Sequence, residues 1–173
     1  SWHEPPEAAE QVIRLDPGLA FGTGTHPTTR MCLRWTAQHP PVGSRVLDYG
    51  CGSGILAIGA AKFGAREIVA VDIDPAAVES TRLNASANHV TLSEGLPDIA
   101  RGEHDLVLAN ILATPLKVLA PLLCSHVRSG GHLVLAGILA RQADELIEAY
   151  APWLALQVSD EEEGWILMTA VKA

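Results

Sequence analysis

Short apolar runs alternate with helical patterns along most of the chain. The compact runs predict buried strands at residues 46–49, 67–72, 90–93, 105–110 and 132–138. Apolar positions at helical spacing predict helices at residues 31–37, 55–63, 76–88 and 141–150. Asp74 and Thr114, each followed by proline, are predicted N-caps, and a further helix should begin at Thr114. Strands that alternate with helices in this way predict an α/β fold.

The end of the chain predicts an antiparallel hairpin. Residues 154–158 and 165–171 alternate between apolar and polar positions around an acidic turn at 160–164, which we interpret as a solvated tip. Five β/α units followed by this hairpin predict a Rossmann-like, seven-stranded, mostly parallel sheet with helices on both faces. Ligands of such sheets bind in a crevice outside the carboxyl ends of the strands.

A glycine-rich loop follows the first predicted strand, in the order Asp48, Gly50, Gly52 and Gly54. Glycine lets the backbone turn sharply and lets a ligand lie against it, and the helix that follows presents N–H groups to an anion. A dinucleotide-binding loop would carry glycine or alanine at position 55, where this chain has Ile55. The pattern resembles the first motif of class I S-adenosylmethionine-dependent methyltransferases, whose cofactor has an ammonium group that suits the Asp48 carboxylate. A strand-to-helix turn without a ligand is the alternative.

Polar residues also end two other predicted strands. Asp72 stands about 20 positions after the glycine loop, where an acidic residue can accept both hydroxyl groups of a ribose. Asn110 ends the strand at 105–110 and offers both a donor and an acceptor, although a turn asparagine is the alternative. Because parallel strands bring their carboxyl ends to one edge, Gly50, Asp72 and Asn110 are predicted to meet at one crevice.

The segment before the first predicted helix has the composition of a loop. Residues 15–29 combine glycine, proline and threonine with one phenylalanine, which excludes regular structure. This composition suits a lid over a ligand, with Phe21, Thr28 and Thr29 as candidate contacts, and a plain surface connection is the alternative. Residues 1–14 are polar and are predicted to be the end of a linker, which leaves residues 15–173 as the functional domain.

Composition narrows the class of protein. The length of 173 residues and the 48% share of hydrophobic residues suit one domain with a buried sheet, and no apolar run is long enough to span a membrane. The net charge of −8, without a Lys/Arg cluster, argues against a nucleic-acid partner and suits a basic one. The three cysteines are scattered without metal-ligand spacing, which predicts a reducing, cytoplasmic setting, and Cys51 is interpreted as a small buried loop residue rather than a nucleophile.

Four stretches together resemble the bacterial PrmA family, whose enzymes methylate the large-subunit ribosomal protein L11. These stretches are residues 17–29, 48–56, 72–75 and 110–113. The resemblance covers essentially the whole chain and implies a class I methyltransferase fold, S-adenosylmethionine as the cofactor with S-adenosylhomocysteine as its product, and N-methylation of lysine ε-amines and an α-amine of a basic ribosomal protein. With the patterns above, it predicts that the cofactor-binding residues are Phe21, Thr28, Thr29, Asp48, Gly50, Gly52, Asp72, Ile73 and Asn110.

The same family carries an N-terminal substrate-recognition domain joined by a linker, so this chain is expected to be the catalytic domain alone. Asn110 is the predicted catalytic residue. Methyl transfer needs a neutral amine, and a lysine costs about 4–5 kcal/mol to deprotonate at pH 7. The motifs contain no obvious general base. We therefore hypothesise that desolvation and the Asn110 carbonyl favour the neutral amine, and that water takes the proton.

Two other functions stay open at this point. A glutamine or adenine methyltransferase would carry Asn-Pro-Pro-Tyr or Asn-Pro-Pro-Phe where this chain has Asn-Ile-Leu-Ala at 110–113, and it would use the aromatic side chain to stack on a planar target. A non-catalytic module that binds S-adenosylmethionine or a dinucleotide is the other alternative. Titration with S-adenosylmethionine against NAD, followed by a methyl-transfer assay, would separate these functions.

Overall fold

The computed structural model describes residues 26–173, which form a seven-stranded sheet and six α-helices. The strands are β1 (Arg45–Tyr49), β2 (Glu67–Val71), β3 (Ser93–Gly95), β4 (His104–Asn110), β5 (Val127–Leu139), β6 (Gln157–Glu162) and β7 (Trp165–Val171). The helices are α1 (Pro27–Gln38), α2 (Ile55–Lys62), α3 (Pro75–Ala87), α4 (Ala113–Val118), α5 (Ala120–Ser125) and α6 (Ala143–Tyr150). Two short 3₁₀ helices cover Pro97–Ile99 and Ala140–Gln142.

The sheet has the strand order β3-β2-β1-β4-β5-β7-β6. The first five strands of this order pair in parallel, and β7 runs antiparallel to both β5 and β6. This topology confirms the predicted mostly parallel sheet with a C-terminal antiparallel hairpin. Strands β2 and β3 extend the sheet to one side of β1, and β4 and β5 extend it to the other side. The topological switch point therefore lies between β1 and β4, which pair from Val46↔Leu106 to Asp48↔Leu108. Ligand crevices of open α/β sheets form at such a switch point.

Apolar side chains cover both faces of the sheet. On one face, Met31 and Trp35 of α1 and Leu56 of α2 are buried against the strands. On the other face, α4, α5 and α6 contribute Leu116, Leu123 and Leu146 to a second buried cluster. A parallel sheet is stable when both of its faces are covered in this way, so the predicted layers of helices on both faces are confirmed.

Several predicted boundaries were wrong for local reasons. The third strand lies at Ser93–Gly95 instead of 90–93, because its register follows β2 from Val69↔Ser93 to Val71↔Gly95. The N-cap of α4 is Leu112, with no side-chain hydrogen bond, and Thr114 lies inside the helix. The predicted cap at Asp74 is confirmed, since its side chain accepts from the Ala76 N–H at 2.9 Å.

The sequence predicted that the acidic turn near the C-terminus is a solvated tip, and this prediction was wrong. Arg34 of α1 donates to Asp160 from Nη2 at 2.7 Å and from Nε at 3.0 Å, and to Glu162 at 3.2 Å. Arg30 of α1 pairs with Glu162 and Glu163. The hairpin therefore holds α1 against the sheet through charged pairs between segments far apart in sequence.

The boundary between the loop and the first helix also differs from the prediction. Thr28 and Thr29 belong to the first turn of α1 rather than to a loop, and both are buried. His26 is the N-cap, and its Nδ1 accepts from the Thr28 N–H at 3.2 Å. Phe21, the rest of the predicted lid and the predicted linker at 1–14 lie outside the described residues. Within residues 26–173, no helix is long and apolar enough to cross a membrane.

Candidate active site

A cavity of about 540 Å³ opens at the carboxyl ends of the parallel strands. The ends of β1, β2 and β4 place Asp48, Asp72 and Asn110 around it. Its other walls come from the first turn of α1, the glycine loop, the start of α3, the start of α4, β5 and β7. They include His26, Thr28, Thr29, Gly50, Cys51, Gly52, Ser53, Ala77, Ile111, Leu112, Pro115, Gly137 and Trp165.

The glycine loop is built from residues in left-handed backbone conformations. Gly50, Gly52 and Gly54 have φ angles of 83°, 55° and 85°, which residues with a Cβ rarely adopt. The N–H groups of Gly50 and Cys51 both donate to the Val71 carbonyl, at 2.8 and 2.9 Å. These bonds fix the loop to the end of β2, the strand that leads into Asp72. Burial raises the pKa of the Cys51 thiol to about 12, which agrees with a buried loop residue and disfavours a nucleophile.

Asp48 is a buried carboxylate with only one of its two oxygens hydrogen-bonded. Its side chain is 1% exposed, and Oδ2 accepts from the Ala57 N–H in the first turn of α2 at 3.2 Å. Its Oδ1 is buried and has no hydrogen-bond partner among the described residues. Burial, with a smaller contribution from the charge of Asp72, raises the pKa of Asp48 to about 7. A cationic donor beside Oδ1 would satisfy this group.

Asp72 is held by backbone donors on both carboxylate oxygens. Its Oδ2 accepts from the Gly52 N–H at 3.0 Å, and its Oδ1 accepts from the Asp74 N–H at 3.0 Å. An ionised carboxylate has about four acceptor sites, so these two bonds orient Asp72 and still leave capacity for ligand hydroxyl groups. The side chain is partly exposed at the cavity wall, where a nucleoside could reach it.

Asn110 lies beside the first turn of α1 in the cavity wall. Its Nδ2 lies 3.4 Å from Thr29 Oγ1, a long hydrogen bond. Thr28 Oγ1 lies 2.8 Å from His26 Nδ1, and the His26 ring packs edge to face against Trp165 at a centroid distance of 5.2 Å. This wall therefore combines two hydroxyl groups, an amide and two aromatic rings.

Ile111 is packed tightly between Gly50 of the glycine loop and Gly137 of β5. A Cβ at Gly50 would lie 2.5 Å from Ile111 Cγ2, and a Cβ at Gly137 would lie 2.1 Å from the Ile111 carbonyl oxygen. Gly137 lies in β5 with a φ of 89°. Both positions therefore require glycine, and the two backbones fix the residue that directly follows Asn110.

The structure brings most of the predicted site residues together. Seven of the nine line the cavity: Thr28, Thr29, Asp48, Gly50, Gly52, Asp72 and Asn110. Ile73 is 82% exposed and is not among the residues that line the cavity, and Phe21 lies outside the described part of the chain. Their roles in ligand binding stay predictions.

Sequence reasoning missed several residues of the cavity wall, among them Trp165, Gly137 and Pro115. Trp165 looks like an ordinary strand residue, and Pro115 like an ordinary first-turn proline. Gly137, a glycine inside an otherwise apolar strand pattern, was the one local signal of a close backbone approach.

Comparisons with known proteins agree on one family. The family model "Ribosomal protein L11 methyltransferase (PrmA)" matches residues 1–173. The ribosomal protein L11 methyltransferase of Polaromonas sp. is 76% identical over 173 residues, which cover 98% of this chain and 58% of that protein. The protein of the same name from Bordetella parapertussis is 57% identical over 184 residues, with 100% of this chain and 60% of the relative covered. The chain thus spans about three fifths of the length of these relatives.

Solved structures give the same result for the fold. A ribosomal protein L11 methylase from Lactobacillus delbrueckii subsp. bulgaricus superposes with a TM-score of 0.87 at 32% identity, covering 98% of this chain and 90% of that one. A 16S rRNA methyltransferase from T. thermophilus, solved with AdoMet and guanosine, has a TM-score of 0.73 at 22% identity. It covers 89% of this chain and 45% of its own. The second likeness shows the shared fold alone.

Proposed function

Since the chain belongs to the ribosomal protein L11 methyltransferase (PrmA) family, we propose that it binds S-adenosylmethionine and transfers its methyl group to amines of ribosomal protein L11. The observation that carries this proposal is the meeting of Asp48, Asp72 and Asn110 around one cavity at the switch point of the sheet. Three strand ends there supply three different polar groups. A basic ribosomal protein also suits a chain with a net charge of −8, and such a substrate is met in the cytoplasm.

The residues present fit the cofactor. The unpaired Oδ1 of Asp48 suits the ammonium group of the methionine portion, because a buried carboxylate oxygen without a donor is costly until it is paired. Asp72 suits the ribose hydroxyl groups, because its carboxylate is oriented by two N–H groups and retains acceptor capacity. We assign Thr28, Thr29, Gly50 and Gly52 to the same binding site on the basis of their position in the cavity wall.

When bound, S-adenosylmethionine supplies an electrophilic methyl group on a sulfonium, which an uncharged amine can attack directly. The protein then mainly has to orient the amine, and good alignment can contribute about 7–11 kcal/mol. Asn110, held at the end of β4 and contacted by Thr29, offers a carbonyl oxygen that can accept from an amine N–H. We propose that this oxygen orients the lone pair of the amine toward the cofactor.

The amine must lose its proton before it reacts. An α-amine with a reference pKa near 7.8 costs about 1 kcal/mol to deprotonate at pH 7, and a lysine costs about 4–5 kcal/mol. The apolar wall formed by Ile111, Leu112 and Trp165 disfavours the charged form of an amine by desolvation. We propose that this wall and Asn110 together favour the neutral amine, with water as the final proton acceptor.

The test begins with binding and continues with transfer. Isothermal titration calorimetry should detect binding of S-adenosylmethionine and S-adenosylhomocysteine to the chain and no binding of NAD. Radiolabelled S-adenosylmethionine should then label purified ribosomal protein L11, and mass spectrometry should place the methyl groups on lysine side chains or the α-amine. Binding of NAD instead, or label on glutamine or on nucleic acid, would contradict the proposal.

A further inference from the structure

Helix α3 is hydrogen-bonded to the glycine loop through two side chains on one of its faces. Thr81 and Asn84 are three positions apart, so they project from the same side of the helix. Thr81 is 0% exposed and Asn84 is 2% exposed, although both carry polar groups. Buried polar groups of this kind are costly unless they form hydrogen bonds, and both of these do.

The two side chains bind two consecutive carbonyl groups of the loop. Thr81 Oγ1 donates to the Gly52 carbonyl at 3.0 Å, and the same oxygen lies 3.2 Å from Cys51 Sγ. Asn84 Nδ2 donates to the Ser53 carbonyl at 2.9 Å. Because the peptide unit is planar, a fixed carbonyl also fixes the N–H on the other side of the same bond. The helix therefore sets the orientation of two successive peptide planes in the loop.

Side-chain packing adds to these hydrogen bonds between α3 and the loop. A Cβ at Gly54 would lie 2.9 Å from Thr81 Cγ2, so the methyl group of Thr81 rests directly on the loop backbone. The C-cap Asn88 at the end of the helix is in turn bound by Lys62 of α2, whose Nζ donates to its carbonyl at 3.1 Å. Helix α3 is thus joined to the glycine loop at Gly54, before the start of α2, and to α2 itself at Lys62.

A single residue, Gly52, connects these hydrogen bonds of α3 to Asp72. Gly52 gives its carbonyl to Thr81 and its N–H to Asp72 Oδ2, each at 3.0 Å. One small residue, with no side chain of its own, therefore links the buried hydroxyl of α3 to a carboxylate at the cavity wall. The two groups belong to adjacent peptide units that share the Gly52 Cα, so a shift of that atom would move the N–H that orients Asp72.

We propose that Thr81 and Asn84 are positioning residues that lock the glycine loop and, through Gly52, the Asp72 carboxylate in the geometry that receives the nucleoside of the cofactor. This assignment rests on the proposed function, because it takes Asp72 as the ribose-binding group. It adds to that function two residues that do not line the cavity. Neither residue touches the reacting atoms.

The first test measures cofactor affinity. Thr81→Val keeps the shape of the side chain and removes the donor, so it should weaken binding of S-adenosylhomocysteine by about threefold to tenfold, the factor that corresponds to one neutral hydrogen bond. Thr81→Ser keeps the hydroxyl and should restore most of the affinity. Asn84→Ala, a second variant that removes the other donor, should weaken binding in the same range.

A matched control lies one position away on the same helix. Ser80 is 1% exposed, and its Oγ has no hydrogen-bond partner among the described residues. Ser80→Ala therefore removes an equally buried hydroxyl from α3 without touching the loop, and the affinity for S-adenosylhomocysteine should stay unchanged. Equal losses in Ser80→Ala and Thr81→Val would show that any buried change in α3 has this effect and would overturn the proposal.

A double-mutant cycle tests whether Thr81 acts through Asp72. In the Asp72→Ala background, Thr81→Val should cost less than about twofold in affinity, because the group that it positions is absent. A full, additive loss in that background would overturn the proposed route through Gly52.

A measurement on the ligand-free protein separates this inference from the proposed function. Amide hydrogen exchange in the glycine loop should become faster in Thr81→Val and stay at the wild-type rate in Ser80→Ala. If the wild-type chain does not bind S-adenosylhomocysteine, the proposed function fails. The exchange rates still show whether Thr81 holds the glycine loop in place. Unchanged exchange in Thr81→Val would overturn the lock itself.

Discussion

Asp48 is the ionisable side chain of the site whose environment most disfavours its charge. It is buried at the base of the glycine loop, it has one unpaired oxygen, and its pKa is raised to about 7, mainly by burial. A raised carboxyl pKa means that the folded protein is more stable when Asp48 is protonated, and this contribution is lost as the pH rises through about 7. A ligand cation beside the carboxylate reverses the preference, because it favours the ionised form.

We therefore expect cofactor binding to expel a proton from Asp48 below pH 7. At pH 6, calorimetry of S-adenosylhomocysteine binding in buffers of different ionisation enthalpy should report up to about one proton more released by the wild-type chain than by Asp48→Asn. The amino group of the ligand contributes equally in both proteins, so the difference belongs to Asp48. Identical proton counts in the two proteins would contradict the pairing of Asp48 with the ammonium group.

Asn110 stands at the end of β4 in the cavity wall, where the proposed amine would bind. Asn110→Ala removes the carbonyl oxygen and the contact with Thr29, while Asp48 and Asp72 remain. We expect kcat to fall by about tenfold to a thousandfold, as for the loss of one positioned polar group, and the Kd of S-adenosylmethionine to change by less than about threefold. Equal losses in kcat and in affinity would place Asn110 in cofactor binding alone.

His104 is a buried histidine remote from the motifs of the site. Neither ring nitrogen has a hydrogen-bond partner among the described residues, and the ring packs edge to face with His126 at 5.9 Å. Burial lowers the pKa of His104, the nearby positive charge of Arg45 lowers it further, and Glu67 opposes this shift. The neutral ring is therefore the form that the folded state accommodates.

This environment predicts a loss of stability in acid. A lowered histidine pKa contributes stability that is fully present above the unfolded value of about 6.5 and is lost as the pH falls through the folded value. We expect His104→Leu to reduce the slope of the unfolding free energy against pH below about 6.5, as measured by urea denaturation. His89→Asn, at an exposed histidine with a left-handed φ of 56°, serves as the control and should keep the wild-type slope.

At the scale of elements, the charged pairs between α1 and the C-terminal hairpin connect the two ends of the described chain. Arg34 bridges to Asp160 and Glu162, and all three side chains are only partly exposed. Helix α1 carries Thr28 and Thr29 into the cavity wall, so the hairpin supports the site without contributing its own acidic residues to it. A network of partly buried pairs contributes more to stability than isolated surface pairs do.

We expect Arg34→Gln to lower the stability of the domain by about 1 kcal/mol, which corresponds to a decrease in Tm of about 2–4 °C for a domain of this size. In 1 M NaCl the difference should shrink, because the Debye length falls to about 3 Å. Glu79→Gln breaks an exposed pair with Arg82 on α3 and provides the control, for which we expect no measurable change in Tm. A salt-independent loss in Arg34→Gln would point to packing instead of charge.

At the scale of the whole molecule, the sequence predicts best what depends on regular topology. Gly50, Asp72 and Asn110 could be assigned to one cavity because each ends a parallel strand, and parallel strands bring such ends together. The wall formed by Trp165 and Gly137 depends on how β5 and β7 pair, and the charged pairs of Arg34 join segments far apart in sequence. No local pattern encodes contacts of that kind.

The role of helix α3 was hidden for another reason. Thr81 and Asn84 look like ordinary polar positions of a surface helix, and only the packing of that helix on the glycine loop reveals their burial. The position of β3 could not be predicted either, because a three-residue edge strand takes its register from its neighbour. Long periodic elements are therefore predictable from this sequence, and short or edge elements are not.

The expected separation of a catalytic domain from an N-terminal substrate-recognition domain can be tested on intact proteins. This chain covers 58% of its Polaromonas relative, and residues of the described range 26–173 line the cavity. We expect the chain and the longer relative to bind S-adenosylhomocysteine with Kd values within about threefold of each other. The KM of the chain for ribosomal protein L11 should be at least about tenfold higher, which corresponds to a loss of about 1.4 kcal/mol in docking contacts. Equal KM values would show that the longer protein gains nothing in substrate recognition.

Ile111 acts as a spacer through both its side chain, which meets Gly50, and its backbone, which meets Gly137. It separates the loop proposed to bind the methionine portion from the strand that carries Gly137, and its own peptide is continuous with Asn110. Under the proposed function, the spacing between the cofactor and the amine thus depends on how this one residue packs. Redesign of the methyl acceptor in the proposed reaction should therefore begin at residue 111.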